Sequence, residues 1–123
     1  MEFFAEIKNQ NIDSDNLKET LSIARLPELC DSIDKVLQDN KSDGKIYCLW
    51  GEFDINREEL DHGIRFSLPH CPNALAWTIT CDEDSDGVLI HCTIAKKQHD
   101  EDFIESIEQF VADWQIEEPV STN

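Results

Sequence analysis

Between residues 74 and 95 apolar and polar positions change places at every second residue. Leu75, Trp77, Ile79 and Cys81 fall on one side and Ala76, Thr78 and Thr80 on the other, then Val88, Ile90, Cys92 and Ile94 against Leu89, His91 and Thr93. Period-two alternation rich in β-branched residues, broken by the acidic and glycine-ended run 82–87, predicts two antiparallel strands and a tight connection. With Trp77 opposite Cys92, Ile79 meets Ile90 and Leu75 meets Ile94, so both apolar rows share one face. Ile64, Phe66 and Leu68, alternating with Arg65 and Ser67, predict a further strand, closed by a loop in which Pro69 and Pro72 withhold backbone donors. Residues 45–53 are β-rich and apolar on both sides, which predicts an interior strand with Gly51 at a bulge. Asp54–Gly63 reads as a polar connection, with Asn56 and Glu59 at the spacing of a capped helical turn.

Helical spacing appears twice. Asn16 and Glu19 have the form of a capping box ahead of Leu17, Leu21 and Ala24. Pro27 predicts a kink or break at Leu26, after which Leu29, Ile33, Val36 and Leu37 continue a stripe to about Gln38. Near the C-terminus Asp102 and Glu105 suit a cap, and Phe103, Ile107, Phe110, Val111 and Trp114 form one continuous apolar stripe. Residues 1–12, with Phe3, Phe4 and Ile7, fit either a first helical turn or a short edge strand. Residues 117–123 read as a frayed tail. Helices, then strands, then a helix, without strict alternation, argue for an α+β fold. The expected architecture is one domain over residues 1–123. It is a two-layer sandwich, with a four-stranded antiparallel meander carrying N-terminal helices and a C-terminal helix on one face.

Composition narrows the class. A hydrophobic content of 40% beside 30% charged residues is enough for a packed core. No apolar run approaches the roughly 20 residues that span a bilayer, and the acidic start lacks the basic region of a secretory signal, so the cytoplasm is the expected compartment. Five cysteines leave one unpaired in any disulfide scheme and show no C-x-x-C spacing, which favours reduced core thiols. The formal charge is −17, and residues 99–123 carry eight acids with no lysine or arginine. Such a field opposes direct binding to nucleic acid or anionic lipid and favours rapid encounter with basic proteins.

Candidate chemistry follows from four groupings. Glu101, Asp102, Glu105, Glu108 and Asp113 set a row of carboxylates against the stripe of the last helix. Solubility alone accounts for such a row; the sharper reading is a docking surface for a basic partner. Arg65, Ser67, Thr78, Thr80, His91 and Thr93 share the second sheet face, where one cation and one imidazole suit an anionic or sugar-like ligand. That face is equally compatible with plain solvation, with cover by Phe3 and Phe4, or with a homodimer joined through Tyr47 and Leu49. Asp82, Asp84, Asp86 and Gly87 match the opening of a calcium loop. Thr93, however, stands where the bidentate glutamate belongs, and a hydrated hairpin turn suits the same residues. His91 and Cys92 point to opposite faces of a strand and cannot chelate one ion together, while the pair His70-Cys71 lacks a third group to make a reactive thiol. The expected function is therefore non-enzymatic: a small acidic domain of inhibitor, immunity or regulatory type that binds a basic protein and needs no cofactor. A small-molecule or enzymatic site on the polar sheet face is the alternative, and a calcium-binding hairpin loop the further one.

Overall fold

The alternating segment folds as its pattern requires. In a computed structural model that describes residues 1–8, 12–81, 87–95 and 100–116, Trp77 pairs with Cys92 and Ile79 with Ile90. The hairpin lies within a seven-stranded antiparallel sheet. Its strands are β1 (Glu2–Lys8), β2 (Ile33–Asp39), β3 (Asp43–Cys48), β4 (Gly51–Leu60), β5 (Gly63–Ser67), β6 (Ala76–Cys81) and β7 (Gly87–Thr93), in spatial order β1-β7-β6-β5-β4-β3-β2. β2 to β7 follow one another as a meander, while β1 closes on β7, where Met1 and Ile94 exchange hydrogen bonds of 3.0 and 3.1 Å. The chain then crosses from one edge of the sheet to the other through α1 (Ser14–Thr20), a single 3-10 turn at Ile23–Arg25 and α2 (Leu26–Leu29). The last helix, α3 (Glu101–Ala112), packs on β1 and β7. No helix among the described residues is long and apolar enough to cross a membrane.

The expected four-stranded meander is thus corrected to seven strands, and the added strands have separate causes. Residues 33–39 are β2, not helix. Their register against β3 shifts between Ile33 and Lys35 and again between Val36 and Gln38. A bulge sets one extra residue into a strand, so Ile33 and Val36, three apart, both pair with residues of the buried row of β3. Helical spacing was imitated by an irregular strand. Residues 45–53 are no single strand but the end of β3, a tight turn through Leu49 and Trp50, and the start of β4, with Gly51 at φ +111°. The polar run after it is β4, with Asn56 and Glu59 inside a strand and no helical turn. Of the two options for residues 1–12, the edge strand is realised over Glu2–Lys8. Both capping assignments move as well. Asp13 caps α1, its Oδ1 accepting from the Asn16 N–H at 2.8 Å, and Asp100, not Asp102, precedes α3.

One buried row, Phe3, Cys92, Trp77 and Phe66, crosses β1, β7, β6 and β5 and ends at Arg57 on β4. Trp77 is the hub of the core. Its ring centroid lies 5.4 Å from that of Phe66, 4.9 Å from Phe110 and 6.2 Å from Trp114. The stripe of α3 is what brings Phe110 and Trp114 there. Arg57 closes the row by turning its guanidinium to the end of α1, donating from Nε to the Leu21 carbonyl at 2.8 Å and from Nη2 to the Lys18 carbonyl at 2.7 Å. A cation there satisfies carbonyls that the helix itself leaves unpaired and opposes the negative end of its dipole.

Candidate functional site

α3 divides its surface by the helical repeat. The stripe Ile107, Phe110 and Val111 is buried on the sheet. One flank is tied down: the Trp50 indole N–H donates to Ser106 Oγ at 2.9 Å, and Asp113 accepts from Ser32 Oγ and from Gln109 Nε2. At 100° per residue, Glu101 and Glu108 fall on the opposite flank and Glu105 on the crest. Glu101, Asp102, Glu105 and Glu108 are exposed, and among the described residues no lysine, arginine or histidine pairs with them. Four of the five carboxylates proposed from sequence therefore share an open surface. Asp113 does not join them: it is half-buried and holds the helix to Ser32.

The polar sheet face also assembles. Arg65, Thr78 and His91 are direct neighbours across β5, β6 and β7, and the row continues to Phe4 on β1 and Glu58 on β4. Ser67 and Thr93 flank Ala76 in the next row, and Thr80 lies beside Gly63 and Leu89. His91 is already engaged. Its ring stacks on Phe4 at 4.4 Å between centroids with 1° between planes, and Nε2 lies 3.0 Å from Glu2 Oε1. Phe4 thus covers part of this face, whereas Phe3 turns into the core. Tyr47 and Leu49 are exposed near the opposite edge. The run 82–86, with the calcium candidates Asp82, Asp84 and Asp86, lies outside the described residues.

His70 turns to Asp54, with Nε2 3.4 Å from Oδ2, and Cys71 packs half-buried against the core. Among the described residues no group of three or more His, Cys, Asp or Glu side chains is arranged to hold a metal ion. A cleft of about 620 Å³ between α1 and the ends of β2 and β4 is lined by Lys18, Lys41 and Arg57 together with four carboxylates. Sequence reasoning missed this cleft, because Arg57 was placed in a loop; the alternation of Phe53, Ile55 and Arg57 was the available signal.

The thiols are core groups. Burial pushes Cys30 and Cys92 from the ordinary 9.0 up to about 12, and raises Cys48 as well. Above the unfolded pKa the denatured chain releases these protons while the native one retains them, so stability is full below about pH 9 and falls as pH rises toward about 12. Each of Cys30 and Cys92 is expected to remove on the order of 1 kcal/mol per pH unit in that window. Urea midpoints measured across it should fall less steeply in Cys30→Ala and Cys92→Ala than in the parent chain; equal slopes would contradict the assignment.

The structure is that of an α+β protein with an open antiparallel sheet backed by helices. No known protein family matches the sequence, and no curated protein matches it significantly. The fold is similar to the crystal structure of an uncharacterised protein from Bacillus thuringiensis, with a TM-score of 0.64, 12% sequence identity and 93% of each chain covered. At that identity the likeness concerns the fold alone.

Proposed function

We propose that this protein is a non-enzymatic binding domain whose partner is a basic protein, recognised through the exposed carboxylates of α3. The observation that carries this reading is the shared exposure of Glu101, Asp102, Glu105 and Glu108 on a helix held along one flank by Trp50 and Ser32. Like charges at helical spacing destabilise an isolated helix by a few tenths of a kcal/mol per pair. Burial of the apolar stripe outweighs that cost, and the held flank keeps the carboxylates turned outward. A preorganised surface of carboxylates speeds encounter with a protein of opposite sign and penalises other partners. Inhibition, immunity or regulation of a basic protein in the cytoplasm are the activities such a surface serves.

Affinity capture from native lysate, repeated with Glu101, Glu105 and Glu108 changed to glutamine, tests the reading. The captured protein should be basic. Its affinity should drop by about tenfold or more in the triple variant, and its association rate should fall as salt rises through the physiological range. Partners no more basic than a random sample, or binding indifferent to salt, would overturn it.

A further inference from the structure

The two edges of the sheet are built differently. β2 is interrupted by two register shifts, an ordinary device that keeps an edge from pairing with another chain. β1 has neither bulge nor proline, and its register against β7 is unbroken from Glu2 to Lys8. Among the described residues no strand lies beyond it. Met1 and Ile94 exchange both of their hydrogen bonds, and bonded pairs alternate along an antiparallel ladder. Phe3, Ala5 and Ile7 therefore turn their main-chain groups toward β7, and Glu2, Phe4 and Glu6 turn theirs to the outside. These outward N–H and C=O groups are a template for one more strand.

We propose that the free edge of β1 is the docking site for an extended basic segment of the partner protein, which joins the sheet as an additional strand. This rests on the basic-partner reading and names the form in which that partner binds. Charge complementarity selects the occupant. On the outer sheet face the exposed Glu2, whose Oε1 also meets His91 Nε2 at 3.0 Å, and the exposed Glu6 bracket Phe4, which is 58% exposed. On the inner side α3 lies over β1 and β7. Its tied flank faces Ser32 and Trp50, so the flank bearing Glu101 and Glu108 lies toward the β1 edge. An incoming strand would thus run between two sets of carboxylates. Side chains opposite Glu2, Phe4 and Glu6 alternate in register, which calls for basic, apolar and basic residues at every second position, while main-chain hydrogen bonds supply sequence-independent affinity. A second copy of this chain is the wrong occupant, because pairing two β1 strands brings like carboxylates together on both faces.

The test is titration of the full chain with the peptide acetyl-KTKTFTKTK-amide, followed by amide hydrogen exchange. Exchange at Glu2, Phe4 and Glu6 should slow by about tenfold, while Phe3, Ala5 and Ile7, already bonded to β7, should change little. The acidic twin acetyl-ETETFTETE-amide should give no protection. Glu6→Pro removes an outward donor at a position where an edge strand tolerates proline and should abolish the effect. Glu6→Lys, which keeps every backbone group, should weaken the basic peptide by about tenfold. Protection confined to α3 would overturn the edge site and leave the acidic-surface reading standing. Equal protection by the acidic twin, no binding at all, or protection of the same amides by self-association would each overturn the edge site outright.

Discussion

Trp77→Ala is expected to cost about 3–5 kcal/mol, a large part of the roughly 5–15 kcal/mol that holds a domain of this size together. The side chain is 1% exposed and touches Phe66 from the sheet and Phe110 and Trp114 from the α3 segment. Its removal takes away transfer free energy and leaves a cavity walled by rings that rigid strands and a helix keep from collapsing. Trp77→Phe should behave differently. Among the described residues the indole N–H of Trp77 has no hydrogen-bond partner, and an unpaired buried donor costs about 1–3 kcal/mol. Phenylalanine removes that donor while keeping most of the aromatic volume, so its cost should stay below about 2 kcal/mol. Urea denaturation followed by far-ultraviolet circular dichroism reads both variants without relying on tryptophan emission. Equal losses for alanine and phenylalanine would show that ring volume at this position matters less than the geometry indicates.

Gly63→Ala should be nearly as damaging, although it adds a single methyl group. Gly63 begins β5 beside β6, where an added Cβ would lie 1.9 Å from the Ile79 carbonyl oxygen and 2.8 Å from the Thr80 Cα. Both atoms belong to the backbone of an interior strand paired on each side, so neither can yield without parting a ladder. A cost of about 3 kcal/mol or more is expected, at the upper end for overpacking. Gly51→Ala is the contrasting case. Nothing lies within 4 Å of its Cβ position, but φ is +111°, so that variant measures backbone strain alone. Chemical denaturation of the two variants separates close approach from conformation. A Gly63→Ala protein as stable as the parent would mean that β5 and β6 can slide apart, contrary to their register.

The acidic helix and the polar face were legible in the sequence because each depends on one element or on neighbouring strands. The carboxylates of α3 follow from helical spacing, and Arg65, Thr78 and His91 from period-two alternation. Their surroundings were not legible. That Asp113 is drawn to Ser32, that His91 stacks on Phe4, and that Arg57 reaches the carbonyls of α1 all depend on elements distant in the chain.

Local patterning by itself determined the β6–β7 hairpin with its pairing, the β5 strand, the apolar stripe of α3, and the strongly acidic balance of the chain. Those features rest on side-chain periodicity and on the repulsion or burial of particular residue types, which operate within a dozen residues. Only the tertiary structure decided that residues 33–39 are a bulged strand, that a run of charges becomes β4, and that the first strand pairs with the last. Ile33 and Val36 satisfy a helix and an irregular strand equally well, and only the neighbouring β3 breaks the tie. Pairing across the whole chain is settled by which backbone groups find partners once the core has formed, and no local pattern records that competition.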